Sequence, residues 1–277
     1  MKEEIITNSG IQRKPDAFSK RIHEIDFLRG VLMILVLMDH LFWCFKHYNM
    51  LWYEATNIEF FNVIYKIFRF YWGESGCPAR DIIRILAIFG FCFLSGISSA
   101  FSKNNWVRAG QMLVVYGVIA VGSNLLSSWG FIEQGCRIDF NVIGVLAWST
   151  LFYCFTQNKT WRSILVGLLI SFLMCWYVVP WLKEIDISKG LNAYVPALWE
   201  PEGQSDWLPL FPYMTFFFMG ALASYFIYAP YKKSIIKHKG EWERPFCFIG
   251  RHSIIFYLTH QIILIPVFVL ITALIGA

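Results

Sequence analysis

Long apolar runs separated by short polar segments dominate the chain. Seven of them are long enough to cross a hydrocarbon core of about 30 Å as α-helices. They cover residues 25–45, 82–101, 107–126, 140–156, 163–181, 208–228 and 253–275. The run at 58–72 is shorter and is interrupted by Asn62, Lys66 and Arg69, which predicts an interfacial or re-entrant helix. The pattern therefore predicts an all-α fold, a polytopic transmembrane helical bundle of about seven spans.

The composition agrees with this class. Of the 277 residues, 57% are hydrophobic and 16% are charged, whereas soluble domains average about 45–50% apolar and about 25% charged residues. Residues 1–20 are polar and lack the apolar core and cleavage site of a signal peptide. We expect a cytoplasmic tail at 1–20, followed by one transmembrane domain at 21–277.

Basic residues concentrate in alternate connecting segments. They precede the first span and lie between spans 2 and 3, 4 and 5, and 6 and 7, as with Lys103 and Arg108 or Lys159 and Arg162. In a seven-span chain these segments share one side, which the positive-inside rule makes cytoplasmic. The sequence thus predicts a multi-pass protein of the cell membrane with a cytoplasmic N-terminus and an external C-terminus.

The seven cysteines do not point to a metal. They show no CxxC pair and no metal-ligand spacing, and most of them lie inside apolar runs. A cysteine in such a run behaves as a small buried hydrophobe. We therefore expect no metal.

The first span carries four polar groups, Asp26, Arg29, Asp39 and His40. A charge at mid-helix costs roughly 2.5–3.5 kcal/mol on the insertion scale, so it is kept where it faces protein or water. Arg29 and His40 fall within roughly 20° of one another on a helix and about 16 Å apart along its axis. Asp26 lies within about 60° of the same line. One face of the first span is therefore where we expect function.

His40 is a candidate general base, because an imidazole titrates near neutral pH and can take a proton from a hydroxyl or amine. Asp39 is a candidate partner, although neighbours in a helix do not face each other. His47 lies two turns further on and is expected at the same outer mouth. The competing interpretation is a histidine bound to a polar neighbour at the membrane interface.

Three further segments have both structural and functional interpretations. The small residues from Ser95 to Ser99 favour close helix packing or backbone contact with a ligand. Asp206 and Trp207 open the sixth span from outside, as a helix cap or as the lip of an acceptor site. The last span carries a polar stripe of Ser253, Tyr257, His260 and Gln261 after a basic entry at Arg251, and that entry is either a positive-inside signal or a mouth for a phosphorylated ligand.

Four of these segments, in order, resemble a known family. They are residues 21–33 with Asp39 and His40, then 93–98, 206–212 and 250–261. The pattern is similar to that of bacterial and archaeal relatives of heparan-α-glucosaminide N-acetyltransferase, in the transmembrane acyltransferase superfamily. The resemblance implies transfer of an acetyl or other acyl group from cytoplasmic acyl-CoA to a hydroxyl or amine of an acceptor, a sugar in the first instance, at the outer side.

The resemblance leaves open which of two histidines, His40 or His47, is catalytic. Arg29 and His40 resemble the arginine and histidine on the first helix of acyltransferase family 3 proteins. The run from Phe45 to His47 resembles the segment that holds the catalytic histidine of the lysosomal enzyme. The chain departs from the family in its mid-chain helix, where Ala147 and Trp148 replace an expected polar residue, and in being shorter than the eukaryotic enzyme.

The resemblance and the residue pattern together assign the following roles. The catalytic candidates are His40, His47 and Asp39; the donor-binding candidates are Asp26, Arg29, Ser95, Arg251, Ser253 and Tyr257; and the acceptor-binding candidates are Asp206, Trp207, His260 and Gln261. The expected partners are the lipid bilayer, acetyl-CoA as acyl donor, a carbohydrate or other small acceptor, and a second copy in a homodimer, with no nucleic acid. The main rival is a proton-coupled transporter that uses the same buried groups as a relay, against which the chain shows no inverted repeat.

Overall fold

The computed structural model describes residues 22–71, 79–102, 104–130, 137–156, 161–184, 197–198, 207–228, 235 and 240–276. The α-helices within these ranges are α1 His23–Thr56, α2 Glu59–Tyr71, α3 Ala79–Phe101, α4 Asn105–Ser128, α5 Val142–Cys154, α6 Trp161–Leu173, α7 Val179–Glu184, α8 Leu210–Ile227, α9 Arg244–Arg251 and α10 Ser253–Ile275. The expected all-α helical bundle is confirmed.

Six of the predicted spans are helices long and apolar enough to cross a membrane, which makes the chain a multi-pass membrane protein. The fourth, α5, has 13 residues. The segment that contains α5, residues 138–155, nevertheless packs along most of the length of α4. Ser123 near the end of α4 bonds the Ile138 carbonyl at 3.1 Å, and Trp106 near its start packs against Phe155, ring centroids 5.3 Å apart.

Contacts between helices fix their relative directions. Arg29 reaches Ser98 while Asp39 reaches Arg80, so α1 and α3 are antiparallel. By the same reasoning α4 and α5 are antiparallel, and so are α6 and α8. The α3 and α8 helices are parallel, as are α1 and α10. These directions are those of a chain that crosses seven times. One end therefore collects the starts of α1, α4, α6 and α10, and we call it the basic end; the other is the opposite end.

Two helix pairs approach each other at glycines. A Cβ on Gly30 would overlap the carbonyl oxygen of Phe246, and one on Gly250 would overlap the carbonyl oxygen of Asp26, so α1 and α9 cross in backbone contact. The α3 and α8 helices cross in the same way, at Gly96 and Gly220. Small residues allow such crossings in membranes. The packing interpretation of the segment that contains Gly96 is thereby confirmed.

Helix boundaries differ from the prediction in two places. The predicted first span ends at residue 45, but α1 has 34 residues and ends where Asn57 takes a left-handed conformation, φ 57°. Lys46 to Thr56 contain no proline or glycine, so no residue there breaks the helix. Between α6 and α7 the turn at Met174–Val178 is a π-helix. Pro180 follows it and removes one helical donor.

The apolar run predicted at 58–72 forms α2, and its place at the membrane interface stays a prediction. The tail at 1–20 and nearly all of the segment from 185 to 206 lie outside the described residues. The division into tail and membrane domain also stays a prediction.

The glycine crossing predicts a sharp contrast between two alanine substitutions. Gly96→Ala places a Cβ against the backbone of α8 and should lower stability by about 1–3 kcal/mol, the usual cost of overpacking. Gly117→Ala on α4 meets no atom within 4 Å and should be neutral or slightly stabilising. Thermal unfolding of the detergent-solubilised protein measures both. Equal melting temperatures for the two variants would contradict the crossing.

Candidate active site

Arg29 of α1 lies against the serine-rich end of α3. Its guanidinium donates to the hydroxyl of Ser98 and lies 3.4 Å from the carbonyl oxygen of Leu94. The Ser98 hydroxyl donates in turn to the same carbonyl, at 2.7 Å. Arg29 thus bridges α1 and α3 near the basic end.

A second arginine, Arg108 of α4, reaches the same end of α3. Its guanidinium donates to Ser95 at 3.1 Å and to Ser99 at 3.2 Å. Both serines are buried. Within the described residues the hydrogen-bond partners of Arg108 are neutral hydroxyls, and its charge is close enough to that of Arg29 for the two to repel.

We call Arg29, Arg108, Ser95, Ser98 and Ser99 the arginine–serine cluster. Serine hydroxyls accept hydrogen bonds from a guanidinium, but they do not cancel its charge. Two guanidinium forks that converge in this way suit the planar, bidentate recognition of phosphate or carboxylate. The cluster is therefore a site where an anion would be stabilised.

The other predicted donor-binding residues are arranged differently. Arg251 forms an ion pair with Asp26, its Nε 3.1 Å from a carboxylate oxygen. Each of the two groups therefore already meets an opposite charge. Ser253 is the first residue of α10, and Tyr257, one turn on, packs beside Met112 and Ile143 at the α4–α5 contact.

His40 meets the polar stripe of α10. Its ring lies 4.7 Å from that of His260, centroid to centroid, and the side-chain amide of Gln261 lies 3.4 Å from its Nδ1. His260 is buried, and its Nδ1 donates to the carbonyl of Tyr257 at 2.6 Å, which leaves Nε2 as the basic nitrogen of the neutral ring. We call His40 and His260 the imidazole pair. No group of three His, Cys, Asp or Glu side chains in the described ranges has the geometry to hold a metal ion.

Asp39 turns away from this pair. Its carboxylate accepts from Arg80 of α3, at 3.0 Å from Nε and 3.4 Å from a terminal nitrogen. Tyr71 of α2 lies beside them, and burial together with the charge of Asp39 raises the pKa of its phenol, while Arg80 opposes that change. Asp39 therefore ties α1 to α3 and does not contact His40.

His47 and the predicted acceptor lip lie apart from the imidazole pair. His47 is exposed and stacks face to face on Trp43, one turn earlier, with centroids 5.1 Å apart. Trp207 packs beside the buried Leu208 before α8 begins. Asp206 lies outside the described residues.

Three arginines that the sequence pattern does not single out lie against the bundle. Arg80 and Arg84 are in the first two turns of α3, and Arg108 follows a short connection from α3 to α4. In the sequence, Arg108 contributes only to the positive-inside pattern. The available signal was spacing: Arg80 and Arg84 lie one turn apart on one face, and the short connection brings the start of α4 back to the serines of α3.

The Asp39–Arg80 pair predicts a stability effect that a catalytic role for Asp39 does not. Breaking a buried pair by removing one partner costs about 3–5 kcal/mol. These side chains are 16% and 20% exposed, so we expect about 1–3 kcal/mol for Asp39→Asn or Arg80→Gln, and less than the sum for the double variant. Thermal unfolding of the two single variants and the double variant measures these losses of stability. If Asp39→Asn keeps the wild-type melting temperature and abolishes turnover, the carboxylate acts in the chemistry instead.

Comparison with known proteins adds one finding to this geometry. Residues 21–262 match a family described as heparan-alpha-glucosaminide N-acetyltransferase, catalytic. No curated protein and no solved structure gives a significant match to the chain. The matched range contains the arginine–serine cluster and the imidazole pair. The chain therefore belongs to the family of heparan-alpha-glucosaminide N-acetyltransferase catalytic domains, which are membrane acyltransferases.

Proposed function

We propose that this protein transfers an acetyl group from acetyl-CoA, held at the basic end, to an amine or hydroxyl of an acceptor, a sugar, bound from the opposite end. The observation that carries the proposal is the position of two sites along α1. The arginine–serine cluster contains Arg29, and the imidazole pair contains His40 on the same helix face. One site suits an anion, and the other suits proton transfer.

The basic end is the cytoplasmic side in this proposal, following the positive-inside rule. The cytoplasm holds the acetyl-CoA. The phosphates of CoA are the anions that the cluster would bind, through Arg29 and Arg108. Arg251 has a smaller role here than the sequence predicted, because Asp26 already opposes its charge.

The pantetheine arm would connect the two sites. Arg29 and His40 are eleven positions apart, which is about 16 Å along a helix. An extended pantetheine chain carries its thioester over such a distance. The thioester carbon would then lie beside the imidazole pair, with the phosphates at the cluster.

The chemistry at the imidazole pair is acyl transfer. The acceptor nitrogen or oxygen attacks the thioester carbon, an imidazole takes its proton, and the carbon–sulfur bond breaks to release the CoA thiolate, which receives that proton. His40 and His260 are the candidate bases, and Gln261 orients His40. A covalent acetyl-histidine step is the alternative route through the same groups.

Histidine substitutions test this site. His40→Ala and His260→Ala should each lower kcat by about 10²–10⁴-fold, the usual contribution of a general base. His47→Ala should keep a rate close to wild type, because His47 is exposed and stacks on Trp43. The measurement is CoA release from acetyl-CoA by purified protein across a panel of amino sugars.

The matched control is the melting temperature of each variant, which should stay near that of the wild type. The His47 segment would be the reactive one if His47→Ala loses activity and His40→Ala retains it. Full activity in both variants would exclude histidine catalysis on α1.

Donor binding is tested at Arg108. Arg108→Gln should raise KM for acetyl-CoA about 10- to 100-fold, because a hydrogen bond to a charged group contributes about 1.5–3 kcal/mol. The control is Arg162→Gln, which removes an exposed arginine that lies over Trp161 at the same end. An equal rise in both variants would indicate a general charge effect and no cluster.

Acetyl-CoA should also stabilise the wild-type protein against heat, increasingly with concentration, and should stabilise Arg108→Gln less at each concentration. A proton-coupled transporter would show no such dependence. A flat response of the wild type would therefore contradict the donor site.

A further inference from the structure

Arg84 is a charged residue of α3 to which neither the fold nor the proposed chemistry assigns a role. It lies one helical turn, about 6 Å, beyond Arg80. Ala87 and Ile88, the residues three and four positions on, are buried, while Ile85 and Leu86 on the other side are 59% exposed. Arg84 therefore lies on the side of α3 that faces the bundle.

The surroundings of Arg84 differ from those of its neighbour. Arg80 has the carboxylate of Asp39 as its partner. For Arg84, no ion pair or hydrogen bond occurs within the described ranges. Phe89 of α3 packs against Phe216 of α8, ring centroids 5.0 Å apart, and because the two helices are parallel, Arg84 and Tyr213, about one turn earlier on each helix, lie at the same level. A phenol is neutral at pH 7 and does not cancel a guanidinium. Arg84 is half-buried in the second turn of a span, and a charge there is retained where it faces protein or water.

The Asp39–Arg80 ion pair shows how far Arg84 lies from the imidazole pair along the bundle axis. Asp39 precedes His40 on α1, and the ion pair puts Asp39 at the level of Arg80. Arg84 is one turn from that level, toward the middle of α3. It is also at the level of the first turn of α8, the helix that begins at the opposite end, as the Phe89–Phe216 contact shows. An anion at Arg84 would lie within about two helical turns of His40 along the bundle axis.

The cluster that we assign to the donor is at the other end of the same helix. Ser95, which Arg108 binds, follows Arg84 by eleven positions. That spacing puts the two residues within roughly 20° on α3 and about 16 Å apart. Arg84 is therefore too far from the cluster to share a phosphate with it. An anion at Arg84 would therefore be separate from the phosphates of the donor.

We propose that Arg84 binds an acidic group of the acceptor, a carboxylate or a phosphate, and that the Tyr213 hydroxyl donates a second hydrogen bond to the same group. This inference rests on the proposed function and names its substrate class: an amino or hydroxy sugar that carries an acid near its nucleophile. Arg84 is then a specificity-determining residue. The guanidinium holds the acid while the nucleophile meets the imidazole pair.

Three acceptors separate the sources of the acid. They are glucosamine, glucosamine 6-phosphate and 2-amino-2-deoxyglucuronic acid, each offered with acetyl-CoA to the full-length protein. The wild type should show a KM about 10- to 100-fold lower for at least one acidic acceptor than for glucosamine, the range expected of a charged hydrogen-bond pair. The preferred acid identifies the group as phosphate or carboxylate.

The variants then test Arg84 itself. In Arg84→Gln, the KM for the preferred acidic acceptor should approach the KM for glucosamine. Arg84→Lys, which keeps the charge but loses the fork, should retain part of the preference. Arg162→Gln at the other end should keep the wild-type ratio. A preference that survives in Arg84→Gln, or a wild type without preference, would overturn the inference.

Binding separates this inference from the proposed function. Glucosamine 6-phosphate and 2-amino-2-deoxyglucuronic acid are each added without acetyl-CoA while thermal unfolding is followed. At least one should stabilise the wild type in a concentration-dependent way, and Arg84→Gln clearly less. If no acceptor is acetylated yet this Arg84-dependent stabilisation is present, the proposed function fails and the anion site stands. If acetyl transfer occurs and no stabilisation depends on Arg84, the anion site fails alone.

Discussion

An arginine inside a membrane helix keeps its charge, because a guanidinium does not lose its proton in proteins. The groups around the arginine therefore determine whether it holds helices together or can bind an anionic ligand. Arg80 has Asp39, and the pair joins α3 to α1. The hydrogen bonds of Arg29 and Arg108 to the serines of α3 are to neutral groups, and Arg84 lies at the level of the neutral phenol of Tyr213. The polar layout of the bundle reflects this difference: carboxylates lie against Arg80 and Arg251, whereas the buried serines Ser95 and Ser99 accept hydrogen bonds from Arg108.

Backbone contact at the glycines brings Arg29 and Arg108 within hydrogen-bond distance of the serines of α3. Gly30 follows Arg29 directly and lies against α9, so the α1–α9 crossing fixes the rotation of α1 and directs Arg29 toward α3. Gly96 follows Ser95 and lies against α8, and that crossing turns the serine face of α3 toward α1 and α4. A serine side chain is short. If these helices moved apart by the length of one methylene group, the hydrogen bonds between the serines and the arginines would lengthen. Small residues at the crossings and polar residues beside them therefore act together.

Hydropathy predicted the class of the bundle and where its spans lie, although not where α1 ends, because it depends on local composition. Helical periodicity also brought Arg29 and His40 to one face of α1. The partners of these residues were beyond such an analysis. That Asp39 meets Arg80, that Arg108 meets Ser95, and that His40 meets His260 depends on which helices are neighbours and how each is rotated. Neither property is local, so the sequence predicted the polar face of α1 and not what it contacts. The exposure of His47 likewise follows from the rotation of α1 relative to its neighbours.

In the proposed reaction, donor and acceptor are both anions, and like charges repel strongly in a medium of low dielectric constant. The bundle separates them along its axis. The arginine–serine cluster and Arg84 lie about 16 Å apart on one face of α3, each with its own positive charge. Only the uncharged parts, the thioester and the nucleophile, then need to meet at the imidazole pair. The same separation lets the products leave on opposite sides, CoA from the basic end and the acetylated acceptor from the other. In this proposal, an arginine site on each side of the imidazole pair gives the reaction its direction across the membrane.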